Sequence, residues 1–419
     1  MKQHKMGLVA ATAMSITVVV GAGLLALPGL SFQLAGRLGF IPWGLVAIMM
    51  VPLLTIFAYF AKHHPSAGGV VAYIRISLGY PYADMAELIV IGTVMLGIPA
   101  IALIGSDYLH QSLPHSQNLP VSFIIVSCAY AAGLAGVRLS GALQTLIAAV
   151  IVLGVLAITT SFLIGTPTPA DITPILHDAD SRHGILTALP VILFAYTGWE
   201  LTAFLAEDLV HPERDMPLSI WISFFIVSAL YLFVSWTIAT YAQASEAWIT
   251  TPFIPLASVT FGPLAGMMVG VMATLLIVAN VMAAFLSASR ALFAAGRDGQ
   301  LPHVLAHRNK NGQPVIAMTV TWLIFTGVIV MTQWGAMGPQ ILIQLAGQNF
   351  FVLYCLCAIG YYGLHRGRGL QTVIGLSALA SVVFMMTLFS LPGLIYCGAL
   401  AALGFVLAAR ARTNKTSSA

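Results

Sequence analysis

The stretch Val191-Ile-Leu-Phe-Ala-Tyr-Thr-Gly-Trp-Glu200 lies inside an apolar run covering residues 186–206. About 20 mostly apolar residues suffice for a helix to cross the hydrocarbon of a bilayer. The middle of this run is a poor helix former, because Thr197 and Gly198 both weaken it. It closes on Glu200, and a carboxylate at membrane depth is costly enough to mark a functional position by default. An earlier apolar run, 7–30, carries a comparable interruption at Gly21-Ala22-Gly23, followed by Pro28.

Composition agrees with a chain built for lipid. Of 419 residues, 59% are hydrophobic and 7% are charged, with a mean hydropathy of +0.95. Soluble domains carry roughly a quarter charged residues. The net charge of +4 is spread over the loops, so no basic patch for nucleic acid forms. Cys128, Cys355, Cys357 and Cys397 all fall in apolar runs and read as small core residues rather than a disulfide framework. Cys355 and Cys357 would point apart on a helix, so no metal site and no cofactor is expected. The run from Gly7 to Leu30 is longer than the apolar core of a signal peptide and reads as a retained first helix.

Twelve spans emerge, at 7–30, 40–61, 82–106, 119–136, 141–164, 186–206, 217–241, 263–293, 315–333, 339–361, 370–389 and 392–409. They make residues 1–419 a single all-α polytopic membrane domain with both termini expected on the cytoplasmic side. In that orientation every one of the 17 lysines and arginines except Arg37 and Arg182 falls inside. The two interrupted spans are the first and the sixth. Five spans per half is an odd number, so the halves 7–164 and 186–361 would run in opposite senses as an inverted repeat, with 370–409 outside it. Paired interruptions at corresponding places point to the substrate site of a transporter.

At Gly21-Ala22-Gly23 two readings stand. An opened helix exposes backbone N–H groups and a positive dipole end, which suits a carboxylate. A small-residue patch serves close helix packing equally well. In span six, carbonyls near Phe194, Ala195, Tyr196 and Thr197 would face a substrate ammonium, with Gly198 easing the turn. Phe194, Tyr196 and Trp199 would either close over an aliphatic side chain or simply pack. Glu200 is either a proton-coupling carboxyl or a structural one bonded to backbone freed at the interruption. Gln348 and Asn349 in span ten either shape the pocket or bond neighbouring helices. Ser287 and Ser289 are weak candidates for a sodium ion, because serine in membrane helices often bonds its own backbone.

Five strings carry a family resemblance: Val20-Gly-Ala-Gly-Leu24, His64-Pro-Ser-Ala-Gly-Gly-Val70, Phe194-Ala-Tyr-Thr-Gly-Trp-Glu200, His211-Pro-Glu-Arg-Asp-Met-Pro217 and Gly296-Arg-Asp-Gly-Gln-Leu-Pro302. Together and in order they resemble the amino acid–polyamine–organocation transporters, most closely the bacterial group that exports methionine and branched-chain amino acids. The resemblance implies the leucine-transporter-type fold of five plus five helices, with helices one and six broken, and a site on helices one, three, six, eight and ten. It assigns the substrate carboxylate to Gly21, Ala22 and Gly23, and the ammonium to the carbonyls of Ala195, Tyr196 and Thr197. Two departures stand out. Many members carry a helix-five lysine seven positions after a glutamine; here Gln144 is followed by Ile151. A serine common at the middle of the first glycine motif is Ala22.

The resulting expectation is a secondary carrier for small neutral or hydrophobic L-amino acids in a bacterial inner membrane. Export by proton antiport leads, sodium is the less favoured ion, and the assembly is a monomer or homodimer. An importer or exchanger of the same fold is the alternative, and a non-transporting amino-acid sensor is the alternative of another class. No nucleotide loop or nucleophile–base constellation favours an enzyme, and no charge rings or carbonyl filter loops favour a channel.

Overall fold

A membrane solvent offers a chain no hydrogen bonds, so helices that satisfy their own backbone are the natural outcome of these apolar runs. A computed structural model of the chain describes residues 7–64, 69–113, 120–136, 141–165, 179–199, 209–243, 245–309, 312–335 and 337–416. The helices are α1 (Leu8–Val19), α2 (Ala22–Ala35), α3 (Ile41–His63), α4 (Gly69–Leu78), α5 (Tyr80–Ser112), α6 (Val121–Leu134), α7 (Gly141–Gly165) and α8 (Ala179–Ile192). They continue as α9 (Pro212–Tyr241), α10 (Glu246–Thr250), α11 (Phe253–Phe261), α12 (Pro263–Arg297), α13 (Val315–Gln333), α14 (Pro339–His365), α15 (Leu370–Thr387) and α16 (Leu391–Thr416).

Each expected span overlaps helical residues, and the first is divided between α1 and α2. Among the described residues, α3, α5, α9, α12, α13, α14 and α15 are at once long and apolar enough to cross a membrane. The protein is therefore an all-helical, multi-pass membrane protein. Three helices arise where the sequence reading left loops: α4 after the glycine-rich string at 65–68, and the short α10 and α11 between α9 and α12. Each is short, and each packs on a helix distant along the chain, α4 on α14, α10 on α2 and α11 on α7, with α4 and α11 also resting on the helix that follows.

The centre of the bundle is α5, whose most apolar window is 78% buried, against 22% for the peripheral α15. Helix α5 packs on α12, α14 and α16. Without a hydrophobic drive between helices in lipid, close approach of small residues and interhelix hydrogen bonds must hold them. Both are present. Gly92 lies under Leu400 and Gly105 under Ile277. Across the same seams the Thr274 hydroxyl donates to the Gly105 carbonyl at 3.1 Å, and the Tyr396 hydroxyl to the Gly92 carbonyl at 3.0 Å. The Tyr108 hydroxyl donates to the Leu25 carbonyl at 2.7 Å, tying α5 to α2.

Gly29 sets how closely α2 meets α10, since a Cβ there would fall inside contact distance of the Trp248 and Ile249 carbonyl oxygens. Replacing Gly29 with alanine is expected to cost about 1–3 kcal/mol through forced separation of backbone from backbone. Gly327→Ala, with nothing near its added Cβ, should be neutral or stabilising by up to about 1 kcal/mol. Melting temperatures of the two variants in detergent check the contrast.

Candidate functional site

The first interruption is local in origin. Helix α1 stops at Val19 because Val20, at φ −80° and ψ 74°, leaves the helical region. Gly21, at φ −110° and ψ −140°, then caps α2; it has no side chain to bond the new helix start, and its carbonyl accepts from the Leu24 N–H at 3.2 Å. The Gly21 N–H donates to the Val19 carbonyl at 2.9 Å, a tight turn rather than a helical bond. The first N–H groups of any helix lack intrahelical acceptors. Helix α2 thus presents its positive end near the middle of the 8–35 span.

The second interruption follows α8. The chain tightens into a 3₁₀ turn at Leu193–Tyr196, then extends at Thr197, with φ −92° and ψ 165°. Gly198 takes φ 111°, a conformation that side chains rarely tolerate. The Phe194 carbonyl receives both the Thr197 N–H, at 3.2 Å, and the Thr197 hydroxyl, at 2.8 Å. Tertiary packing brings the two interruptions together. A Cβ at Gly23 would stand 3.2 Å from the Cα and Cβ of Ala195. Phe194 is walled by α5 and α14: its ring lies 3.5 Å from a Cβ position at Gly97, and its backbone 3.4 Å from one at Gly347.

One side chain bridges both interruptions. The Tyr231 hydroxyl, from α9, lies 2.9 Å from the Val19 carbonyl and 3.1 Å from the Ala195 carbonyl. With a single proton, it donates to one oxygen at a time or is shared between them. Trp43 from α3 packs edge-on against the Tyr231 ring, with centroids 4.9 Å apart. Nothing in the run around Tyr231 distinguishes it from other membrane aromatics. Its role depends on contacts with residues 36 and 212 positions away.

The other candidates divide. Tyr196 and Trp199 are fully buried and packed into an aromatic group with Trp43, Tyr231 and Phe224. The Tyr196 hydroxyl donates to the Trp43 carbonyl at 3.2 Å. Their rings pack against one another, while Phe194 stays half-buried. Gln348 and Asn349 are fully buried, and each makes a bond toward α16, the helix-bonding alternative of the sequence reading. The Gln348 side-chain oxygen accepts from Ser390 at 3.4 Å, and that of Asn349 accepts from Cys397 at 2.7 Å. Beside them on α14, Gly347 occupies the face toward Phe194.

Ser287 and Ser289 each donate to their own helix, to the Ala283 carbonyl at 3.1 Å and the Phe285 carbonyl at 2.8 Å. Ala22 lies at the start of α2. Glu200 lies outside the described residues. Among the described residues no cluster of three or more metal-ligating side chains occurs. The sequence reading also passed over Asn280 on α12, whose side-chain nitrogen stands 3.5 Å from a Cβ position at Gly21.

The sequence pattern of the amino acid permeases matches residues 6–418. The chain belongs to that family. Among similar proteins, the amino acid permease YecA of Bacillus subtilis is 27% identical over 94% of this chain and 93% of its own length. The L-methionine/branched-chain amino acid exporter YjeH of Escherichia coli is 27% identical over 55% of this chain and 54% of its own. The human large neutral amino acids transporter small subunit 2 is 25% identical over 85% of this chain and 69% of its own.

In this permease Tyr231→Phe keeps the ring against Trp43 and deletes the donor shared by the two interruptions. Leaving a buried acceptor bare costs about 1–3 kcal/mol. The variant should melt lower in detergent and lose most amino-acid flux, measured side by side with wild type in proteoliposomes.

Proposed function

We propose that this permease is a secondary carrier for small neutral and hydrophobic L-amino acids, of the methionine, leucine, isoleucine and valine class, exporting them by proton antiport. The observation that carries the reading is the approach of the two interruptions, with Gly23 against Ala195. The start of α2 offers N–H donors and the positive end of a helix dipole, suited to a carboxylate. The 3₁₀ turn at Leu193–Tyr196 offers carbonyls, suited to an ammonium. A zwitterion fits both ends at once.

In this reading Gly21, Ala22 and Gly23 hold the carboxylate, and the carbonyls of Ala195, Tyr196 and Thr197 receive the ammonium. Beside them, Gly97, Phe194 and Ala346 supply an apolar wall, which favours an uncharged side chain. A charged substrate would need a partner that this wall lacks. The similarity to YjeH, whose name specifies export of methionine and branched-chain amino acids, supports substrate class and direction. Rocking of the inverted halves 7–164 and 186–361 around the paired interruptions would expose the site alternately to each side. Glu200, beside the second interruption in sequence, is assigned the proton. The permease sits in the inner membrane with both termini cytoplasmic.

Counterflow in proteoliposomes tests the reading. Vesicles preloaded with methionine or leucine should accumulate the same labelled amino acid, while lysine and glutamate should give none. An imposed proton gradient should drive net flux, and a sodium gradient should not. Preference for lysine, or drive by sodium alone, would overturn the assignment. Glu200→Gln should flatten the pH profile of transport while leaving leucine affinity within about threefold, a ratio that corresponds to less than 1 kcal/mol.

A further inference from the structure

Helices α3 and α14 end alike. Tyr59-Phe-Ala-Lys-His63 closes the one and Tyr361-Tyr-Gly-Leu-His365 the other. In each, the histidine Nδ1 lies 2.9 Å from the carbonyl of the tyrosine one turn earlier. In each, the imidazole also lies over that tyrosine's ring, with centroids 4.2 Å apart on α3 and 4.3 Å on α14. A carbonyl only accepts, so Nδ1 carries the hydrogen in both, and Nε2 is the atom left to gain a proton.

The two ends interlock. The Tyr59 ring meets the Tyr361 ring at 5.2 Å and 81°, and the His365 ring at 4.7 Å and 87°. His63 is exposed, whereas His365 is only 2% exposed. The His365 carbonyl accepts from the Arg368 N–H at 3.0 Å and from the Thr372 hydroxyl at 2.8 Å, which fixes the ring's place. The ionisable groups around that ring are Tyr59 from α3, with His63 behind it, and Tyr361 from α14 itself. Tyr73 of α4 is one ring further off, stacked on Phe60. Arg366 and Arg368 are exposed on the turn that follows, and α15 carries no ionisable side chain. Among the described residues no carboxylate pairs with His365.

A neutral imidazole in this place is one more packing ring. A protonated one is a cation between two tyrosine rings, which attract it. It also lies in the last turn of α14, against the last turn of α3, and the negative ends of both helices favour a cation there. Histidine ordinarily changes charge between about pH 5 and pH 8. Helix α3 belongs to the half 7–164 and α14 to the half 186–361, so the seam they share parts when the halves separate at this end.

We propose that His365 is a proton-operated clasp: on gaining a proton it draws α3 and α14 together and holds this end of the permease shut. This rests on the reading that the two halves move against one another, and not on the choice of substrate or driving ion. In the proposed orientation this end faces the cytoplasm. Protons carried inward by antiport would then close the mouth through which amino acids load, which limits further proton entry.

Spin labels on Lys62→Cys and Leu364→Cys, both exposed positions, report the separation of the two helix ends by pulsed electron resonance. The full chain is reconstituted with Cys128 and Cys355 replaced by serine, and Cys357 and Cys397 are buried. Lowering the pH from about 8 to about 5 should raise the ratio of short to long separations about tenfold, the scale of one desolvated cation–ring contact. His365→Gln should lose this response and His63→Gln should keep it. Tyr59→Leu, which keeps the imidazole and removes the ring it meets, should lose it too, and decides the matter where His365→Gln fails to fold. An undiminished response in His365→Gln or Tyr59→Leu would overturn the clasp, as would a response that follows His63 instead. A separation that answers L-leucine but not pH overturns the clasp alone. One that answers neither overturns it together with the rocking of the halves.

Discussion

In a hydrocarbon surround, a carbonyl or N–H that leaves its helix must find another partner or be exposed at high cost. Two helical runs of this permease are interrupted, and the rest of the architecture is organised around satisfying what those interruptions release. The Tyr231 hydroxyl reaches the Val19 carbonyl of one and the Ala195 carbonyl of the other. The Thr197 side chain turns back on the Phe194 carbonyl. The first interruption ends in the N-terminal, positive end of α2 and the second in a 3₁₀ turn rich in carbonyls, so the two ends that meet are opposite in sign.

Holding such a site demands rigid surroundings. Helix α5 supplies them by close glycine contacts at Gly92 and Gly105 and by hydroxyl-to-carbonyl bonds from Thr274 and Tyr396. These bonds are useful in lipid because no water competes for them. The aromatic group of Trp43, Tyr196, Trp199, Phe224 and Tyr231 serves the same end on the α9 side. Its rings lock the second interruption against the first. The polar pair Gln348 and Asn349 secures α14 to α16. Which neighbour a polar residue in a membrane helix reaches is thus set by helical phase, a property that composition does not carry.

The two interruptions were legible because glycine, proline and threonine disfavour helix wherever they stand. Gly21-Ala-Gly23 and Thr197-Gly198 could be located without any partner being known. The rings of Tyr196 and Trp199 could not be placed from sequence, since an aromatic in an apolar span serves packing and binding with the same composition. Asn280 was passed over for a related reason. It is one amide in a long apolar run, and its meaning comes only from Gly21, far away along the chain.

The sequence by itself determined that the chain lives in a bilayer, that it is helical and multi-pass, and where two of its helical runs are interrupted. Those properties follow from local hydropathy and local backbone preference. Tertiary structure alone decided that the two interruptions meet, that Tyr231 spans them, that Phe194 rather than Tyr196 or Trp199 stays accessible, and that Asn280 faces Gly21. Each of these is a contact between residues distant along the chain, set by the packing of α5, α9, α12 and α14, and no local preference encodes it.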